Sequence, residues 1–129
     1  MASVRPVSTT DAPPPGGHYS QGVVHNGVVY IAGQLPIRLG QKEHLVGSIE
    51  EQAEVILTNL DAILKASGSR RDLVIRTTVY ISDVGLWGKF NQVYAAFFGE
   101  HRPARTVVPC NKLHYGYDVE LDAIAAVAE

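Results

Sequence analysis

The sequence has little cysteine, little excess charge and no long apolar run, and each shortage excludes a class of protein. The single cysteine, Cys110, cannot form an intramolecular disulfide, so packing must stabilise the fold. Eleven basic against 13 acidic residues give a net charge of −2 without a basic cluster, which argues against a nucleic-acid partner. No apolar run approaches the roughly 20 residues that span a bilayer, and residues 1–10 lack the apolar region of a signal peptide. We therefore expect a cytoplasmic protein with no membrane partner.

Histidine is also too scattered to indicate a metal site. The five histidines show no spacing typical of metal ligands: His18, His25, His44, His101 and His114. The sequence contains no phosphate-binding loop, dinucleotide fingerprint or nucleophile elbow. We therefore expect no metal, and any chemistry must come from less distinctive residues.

Length and composition indicate one domain. With 129 residues and 46% hydrophobic side chains, the chain can bury a core but has no room for a second folded unit. We therefore treat residues 1–129 as a single domain. Residues 1–17 are interpreted as its leader, because the three prolines at 13–15 and the glycines that follow exclude helix and central strand.

A hairpin follows the leader. Two β-rich runs, at residues 20–24 and 28–32, flank the dipeptide Asn26-Gly27, which favours a type I′ turn. Residues 36–47 carry glycine and charge and are assigned to a loop that has room for one short strand.

The longest periodic segment predicts a helix. Ser48 and Glu51 have the spacing of a capping box, and Gly68 is placed to end the helix. Apolar side chains recur at helical spacing between them: Ile49, Ala53, Ile56, Leu57, Leu60, Ile63 and Leu64.

The second half predicts strand, helix, strand, strand. Residues 73–82 are rich in β-branched side chains, and alternation places five of them on one face: Leu73, Ile75, Thr77, Val79 and Ile81. A helix from near Asp83 to Gly99 directs six apolar side chains inward: Leu86, Phe90, Val93, Tyr94, Phe97 and Phe98. Two strands, at 105–110 and 117–126, close the chain.

This order predicts an α+β fold with a mixed sheet of four to six strands. Right-handed crossovers place both helices on one face of the sheet. The other face then exposes apolar side chains, such as Val28 and Tyr30 or Val74 and Tyr80, and monomers rarely leave such a patch open to water. We therefore expect a homo-oligomer that buries this face, with ligand clefts between its subunits.

Arg105 is the first candidate for a functional residue. It lies in the apolar segment 103–109, where burying a guanidinium is costly unless it meets an anion. Its planar fork favours a carboxylate held by two parallel hydrogen bonds. The alternative, which the pattern alone favours, is an arginine that points into water at a strand edge or pairs with a structural acid.

Acidic residues and a glycine provide further candidates. Alternation places Asp118, Glu120 and Asp122 on one face of the last strand. The pattern favours a solvated strand face; in an oligomer cleft, desolvation would instead raise the pKa of one acid toward that of a general acid or base. Periodicity does not choose among the three. Gly33 is either a bulge or strand terminus, or a point where a ligand touches the backbone.

Six short motifs follow one another along nearly the whole chain. They are Tyr-Ser-Gln-Gly at 19–22, Ala-Gly-Gln-Leu-Pro at 32–36, Arg-Thr-Thr-Val-Tyr at 76–80, Phe-Asn-Gln-Val-Tyr-Ala-Ala-Phe-Phe at 90–98, Pro-Ala-Arg-Thr at 103–106 and Val-Glu-Leu-Asp-Ala-Ile-Ala at 119–125. No single motif is specific. In this order and spacing they resemble the YjgF/RidA family, also called the endoribonuclease L-PSP family.

The resemblance implies a fold, an assembly and an activity. The fold is chorismate-mutase-like, the assembly is a homotrimer with three clefts between subunits, and the activity is hydrolysis of reactive 2-imino or enamino acids to 2-keto acids and ammonia, without a cofactor. It implies that Arg105 clamps the substrate carboxylate and that Glu120 positions or activates the attacking water. Four further residues shape the pocket: Tyr19, Gly33, Asn91 and, through its backbone, Val107.

The chain departs from the family pattern at several positions. Many imine-hydrolysing members have a cysteine in place of Val107 and a hydroxyl residue in place of Ala32. His114, Tyr115 and Tyr117 stand where the family's prototype has a plainer loop. These differences bear on the substrate more than on the reaction type.

Three functions remain open at this point. The first is a deaminase of small imino acids, and the second is a pathway-specific deaminase of a larger substrate such as an aminated dienoate or an aminoacrylate. The third is a regulatory trimer that binds a keto acid without turnover. Ribonuclease activity ranks last, because it needs a basic groove and stacking aromatic side chains.

Overall fold

The computed structural model describes residues 2–128 and contains one six-stranded sheet and two helices. The elements are β1 (Arg5–Val7), β2 (Gly22–His25), β3 (Val28–Gln34), α1 (Ile49–Ala66), β4 (Val74–Ile81), α2 (Trp87–Phe98), β5 (Ala104–Pro109) and β6 (Val119–Ala126). Strands lie in the order β1-β2-β3-β6-β4-β5. Neighbours are antiparallel except β4 and β5, which are parallel. No helix within 2–128 is long and apolar enough to cross a membrane.

Local signals in the sequence account for the hairpin and the first helix. Asn26 and Gly27 have φ values of 50° and 75°, the positive values that a type I′ turn requires. The capping box is present: the Glu51 amide donates to the Ser48 hydroxyl at 3.1 Å, and the Ser48 amide donates to the Glu51 carboxylate at 3.2 Å. The predicted hairpin and capping box are both confirmed.

Both helices pack on one face of the sheet, as predicted. The strand side chains that face them are buried: Val29, Ile31, Val79, Ile81, Val119, Leu121, Ala123 and Ala125. Inside this core the Thr77 hydroxyl hydrogen-bonds the Tyr94 hydroxyl at 2.8 Å, which ties β4 to α2. The core therefore lies between the sheet and the helices, and the sheet's second face is open.

Aromatic and aliphatic side chains lie on that open face. Tyr30 is 48% exposed, and Ile124 and Tyr80 are partly exposed. Tyr30 lies in register with Ile124, and Tyr80 lies in register with Glu120, so these four side chains share one face. The open face thus combines an apolar surface with a carboxyl group.

Part of the segment interpreted as a leader forms a strand. Arg5–Val7 forms β1, an edge strand antiparallel to β2. The rest of the segment is held by the buried side chain of Gln21, which accepts a hydrogen bond from the Thr9 amide at 2.7 Å and donates to the Pro13 carbonyl at 2.9 Å. Proline excludes a central strand but tolerates an edge strand, which explains why composition alone missed β1.

The predicted inward face of β4 is wrong at its start. Leu73 lies in a 3₁₀ turn before the strand and Ile75 is 49% exposed, whereas Val74 is buried. The register against β6 shifts between Val74 and Arg76, so a bulge at Ile75 inverts the alternation. Val74 is therefore not part of the open face, and from Thr77 onward the strand follows the prediction.

Candidate functional site

A cleft of about 520 Å³ lies beside the end of β3. One wall is the proline- and glycine-rich segment 13–17 with Tyr19, and another is the 3₁₀ turn that contains His114 and Tyr115. Glu120, from β6, is the one carboxyl group among the lining residues that the structure describes. We call this pocket the carboxyl cleft.

Gly33 and Glu120 are in contact in the carboxyl cleft. A Cβ atom added to Gly33 would overlap Oε2 of Glu120 and would lie 3.1 Å from its Cδ. The register between β3 and β6 is irregular between Ile31 and Gln34, which places Gly33 in a bulge. Gly33 is therefore a bulge glycine, as one interpretation of the sequence held, and the space left by its missing side chain is filled by the carboxyl of Glu120.

Hydrogen bonds distinguish Glu120 from the acid two residues before it. The Asp118 carboxylate accepts hydrogen bonds from Ser82 Oγ at 2.7 Å, Lys112 Nζ at 2.8 Å and Gln52 Nε2 at 3.2 Å. No side chain or backbone group within 2–128 donates a hydrogen bond to the side-chain carboxyl of Glu120. The Asp118 carboxylate accepts its hydrogen bonds from groups within the fold, whereas the Glu120 carboxyl is free to accept them from a ligand or water.

The surroundings shift the pKa values of the three acids in different directions. Desolvation raises the pKa of Glu120 above its ordinary value of 4.5, opposed by the charge of His114 and assisted by that of Asp122. Desolvation also raises the pKa of Asp122 above 3.8, against hydrogen bonds from Thr78. Burial favours a raised pKa for Asp118 too, but its hydrogen bonds outweigh burial and hold the pKa below 3.8. Glu120 is the acid whose position and proton affinity suit acid or base chemistry.

Arg105 lies on the other side of the sheet, at its β5 edge. It is in register with Thr77, whose side chain faces α2. Its Nη1 donates to Asn91 Oδ1 at 2.9 Å, and its Cζ lies 4.6 Å and 4.9 Å from the ring centres of Trp87 and Tyr94. The guanidinium is thus oriented by α2 while its remaining N–H donors stay exposed to solvent.

The six residues that the resemblance implicates therefore form two groups. Tyr19, Gly33 and Glu120 belong to the carboxyl cleft. Arg105, Asn91 and Val107 form a second group, which we call the arginine edge; Val107 is partly buried against the core. Because Glu120 points to the open face and Arg105 to the helix face, one small ligand cannot touch both groups within one chain.

Sequence reasoning missed two parts of this arrangement. It treated the proline-rich segment as a leader, whereas residues 13–17 form a wall of the carboxyl cleft. It assigned Trp87 no role at the site, whereas the Trp87 ring supports the Arg105 guanidinium. Residues 2–128 contain no group of three or more His, Cys, Asp or Glu side chains close enough to hold a metal ion.

The fold and the cleft define a class of protein, an α+β domain whose sheet carries helices on one face and a desolvated carboxyl group on the other. The family model described as Endoribonuclease L-PSP matches residues 9–127. The chain therefore belongs to the endoribonuclease L-PSP family, the YjgF/RidA family that its motifs resemble.

Individual relatives agree over almost the full chain. A RutC family protein of Pyrococcus horikoshii is 40% identical over 119 residues, which are 92% of this chain and 94% of that protein. The crystal structure of yeast Mmf1 has a TM-score of 0.92 at 37% identity and covers 98% of this chain and 100% of its own. The structure of Escherichia coli TdcF with bound serine has a TM-score of 0.90 at 32% identity, covering 96% and 99%.

Substituting Gly33 with alanine should strain the carboxyl cleft, because the added methyl group overlaps the Glu120 carboxyl. We expect Gly33→Ala to lower the free energy of unfolding by about 1 to 3 kcal/mol, the usual cost of overpacking. In a Glu120→Ala background the same change should cost much less, because the overlapping atoms are gone. Chemical denaturation of the four proteins in this double-mutant cycle measures the coupling.

Gly16→Ala is the matched control for that cycle. Gly16 lines the same cleft, and a Cβ there meets no atom within 4 Å. It should leave stability unchanged. An equal cost of Gly33→Ala with and without the Glu120 side chain would contradict the contact.

The three acids near β6 should titrate in a distinctive order. Because burial disfavours the carboxylate of Glu120, this group should hold its proton to a higher pH than an ordinary glutamate, with a pKa above 4.5. Asp122 should titrate above 3.8 and Asp118 below it. Carboxyl ¹³C chemical shifts followed against pH measure all three, and Glu120→Gln identifies the Glu120 signal. A Glu120 pKa below 4.5 would be inconsistent with the desolvated cleft.

Proposed function

We propose that the protein, acting in the cytoplasm, hydrolyses reactive 2-imino acids and their enamine tautomers to 2-keto acids and ammonia. The observation that carries this proposal is the Glu120 carboxyl, which lies in a cleft, is desolvated and receives no hydrogen bond from residues 2–128. Membership of the YjgF/RidA family supports the same reaction class.

The proposed reaction needs few groups. Water adds through its oxygen to the imine carbon while one of its protons passes to a base and a proton reaches the imine nitrogen. The resulting carbinolamine then breaks its carbon–nitrogen bond, forms the keto group and releases ammonia. Because an imine is already electrophilic, orienting the substrate, positioning the water and transferring protons are sufficient.

Glu120 is proposed to position the water and accept its proton. As a carboxylate it offers only acceptor sites, and none is occupied by a donor from residues 2–128. Burial raises its pKa, which makes the carboxylate a stronger base and keeps the carboxylic acid protonated to a higher pH, so that it is present to return a proton to the leaving nitrogen. Contact with Gly33 limits the positions that the carboxyl can adopt.

Arg105 is proposed to bind the substrate carboxylate. Its guanidinium is fixed by the hydrogen bond to Asn91 and by the faces of Trp87 and Tyr94, which limits the freedom that binding would remove. Two parallel N–H donors then remain for a carboxylate, the geometry in which arginine binds anions best. The backbone around Val107, two residues along β5, borders the same position.

The two groups are proposed to meet between copies of the chain. Within one chain, Arg105 and Glu120 face opposite sides of the sheet. In the proposed assembly a second copy of the chain covers the open face and buries Tyr30. The arginine edge of that copy then lies at the carboxyl cleft of the first. A closed ring of three copies provides one composite site at each interface, so we propose a homotrimer.

A second candidate function is binding of a small carboxylate without turnover. The relative TdcF has been crystallised with serine, an amino acid that is not an imine, and this observation favours a binding role. Measured imine hydrolysis would distinguish the deaminase from this binding role. Comparison of kcat/KM for small imino acids and for larger aminated substrates would distinguish the general deaminase from one that serves a dedicated pathway. A ribonuclease role lacks support, because the net charge is −2 and the lining residues include no lysine or arginine.

Replacing Arg105 should slow imine hydrolysis by removing the carboxylate partner. With a threonine dehydratase supplying the imine, the protein should accelerate keto-acid formation, and Arg105→Ala should lower kcat/KM by about 2 to 4 kcal/mol, or roughly 30- to 1000-fold. Glu120→Gln should lower kcat, because an amide cannot accept the proton.

Arg71→Ala is the matched control. Arg71 also stacks on an aromatic ring, that of Phe97 at 4.1 Å, and hydrogen-bonds α2, but it lies outside both groups. It should retain activity. Wild-type protein that gives no acceleration over buffer, or full activity in Arg105→Ala, would overturn the proposed function.

A further inference from the structure

Two tyrosine rings are exposed within the carboxyl cleft. Tyr19 is 52% exposed and Tyr115 is 56% exposed, and both line the cleft together with Glu120. Single exposed tyrosines are common on protein surfaces and need no explanation. Two of them around one functional carboxyl indicate a surface that receives an apolar or aromatic group.

The position of Tyr115 is built into the structure at some cost. Its backbone has φ 63° and ψ 16°, a left-handed conformation that is strained for a bulky residue. The ring stacks on His44 with centroids 3.7 Å apart and planes 8° apart, and His44 Nδ1 lies 3.3 Å from the hydroxyl of buried Tyr117. His44 thus covers one face of the Tyr115 ring, and more than half of the residue remains exposed. Strain held by its surroundings at a cleft is typical of ligand-contacting positions.

The other walls of the cleft carry apolar groups beside the polar side chains of Gln21, Gln34 and His114. The Tyr19 hydroxyl accepts a hydrogen bond from the Gly16 amide at 3.2 Å, which joins the ring to the proline-rich wall. Leu35 and Ile37 contribute aliphatic side chains. No lysine or arginine occurs among the lining residues that the structure describes. The carboxylate end of a substrate therefore has no ammonium or guanidinium partner in this cleft, whereas the uncharged end finds aromatic and aliphatic side chains.

The cleft is large for the smallest imino acids. The cleft measures about 520 Å³. A 2-imino acid with a phenylmethyl side chain is about twice the size of one with a methyl side chain. The small substrate would leave more of this volume to water beside exposed aromatic rings than the larger one.

We propose that the cleft selects 2-imino and 2-keto acids with an aromatic side chain, and that Tyr115 is the residue that determines this specificity by stacking on that side chain. The proposal rests on the proposed deaminase function and names its substrate class. Glu120 then faces the reacting carbon at one end of the ligand, and Tyr115 contacts the ring at the other.

Hydrolysis of two imines tests the specificity. An L-amino acid oxidase generates the imine from phenylalanine or alanine, and semicarbazide traps whatever imine the protein has not hydrolysed. We expect kcat/KM for the phenylalanine imine to exceed that for the alanine imine by at least about tenfold, the scale of one aromatic contact with its buried area. Tyr115→Asn should lower this ratio by about tenfold.

Two variants of Tyr115 distinguish the loss of its ring from a disturbance of the fold. Asparagine tolerates a left-handed backbone, so Tyr115→Asn removes the ring without adding strain. Tyr115→Phe keeps the ring and should retain the wild-type ratio. If both imines are hydrolysed and Tyr115→Asn does not change the ratio, or if only the alanine imine is hydrolysed, the specificity proposal is overturned while the deaminase function stands.

A binding measurement keeps the two proposals distinguishable when no imine is hydrolysed. That outcome contradicts the deaminase function, and calorimetric titration with phenylpyruvate and pyruvate then decides the role of Tyr115. Phenylpyruvate binding that weakens about tenfold in Tyr115→Asn supports the aromatic cleft. Equal binding of the two keto acids, or of phenylpyruvate to wild type and Tyr115→Asn, overturns it.

Discussion

The contact between Gly33 and the Glu120 carboxyl is the constraint on which the candidate site depends. It requires a bulge in β3, a residue without a side chain at the bulge, and a neighbouring strand whose alternation directs Glu120 to the open face. Burial at this contact desolvates the carboxyl and raises its pKa, while no hydrogen bond from residues 2–128 compensates. The free protein therefore stabilises the carboxylate form of Glu120 poorly. A hydrogen bond from water or a ligand stabilises such a carboxylate more than one that already has donors.

The sheet separates this carboxyl from Arg105, the residue that we propose binds the substrate carboxylate. Arg105 is oriented by α2 on the helix face, and Glu120 lies on the face that no helix covers. The architecture that creates a core on one side of the sheet therefore leaves an apolar surface and the carboxyl cleft on the other. The proposed assembly through the open face would account for both features together, because it would bury Tyr30 and bring an arginine edge to each carboxyl cleft.

Local patterns in the sequence were sufficient for most of the fold. The capping box at Ser48, the turn at Asn26-Gly27 and the alternation of β6 each depend on neighbours in the chain, and the structure has all three. The failures depend on partners distant in sequence: β1 exists because β2 offers an edge, and the bulge at Ile75 exists because of its pairing with β6. Alternation also could not show which acid near β6 is free, because that depends on hydrogen bonds from residues distant in sequence, such as Gln52 and Ser82.

The central claim is that Arg105 and Glu120 act together from different copies of the chain. Mixed oligomers of Arg105→Ala and Glu120→Gln subunits test it directly, with native mass spectrometry to verify mixing. Each variant alone lacks one group, but at equal proportions about one interface in four in a closed ring regains an intact pair from two different subunits. The account predicts about a quarter of wild-type imine hydrolysis in the mixture. Activity no higher than that of the separate variants, in oligomers shown to be mixed, would contradict it.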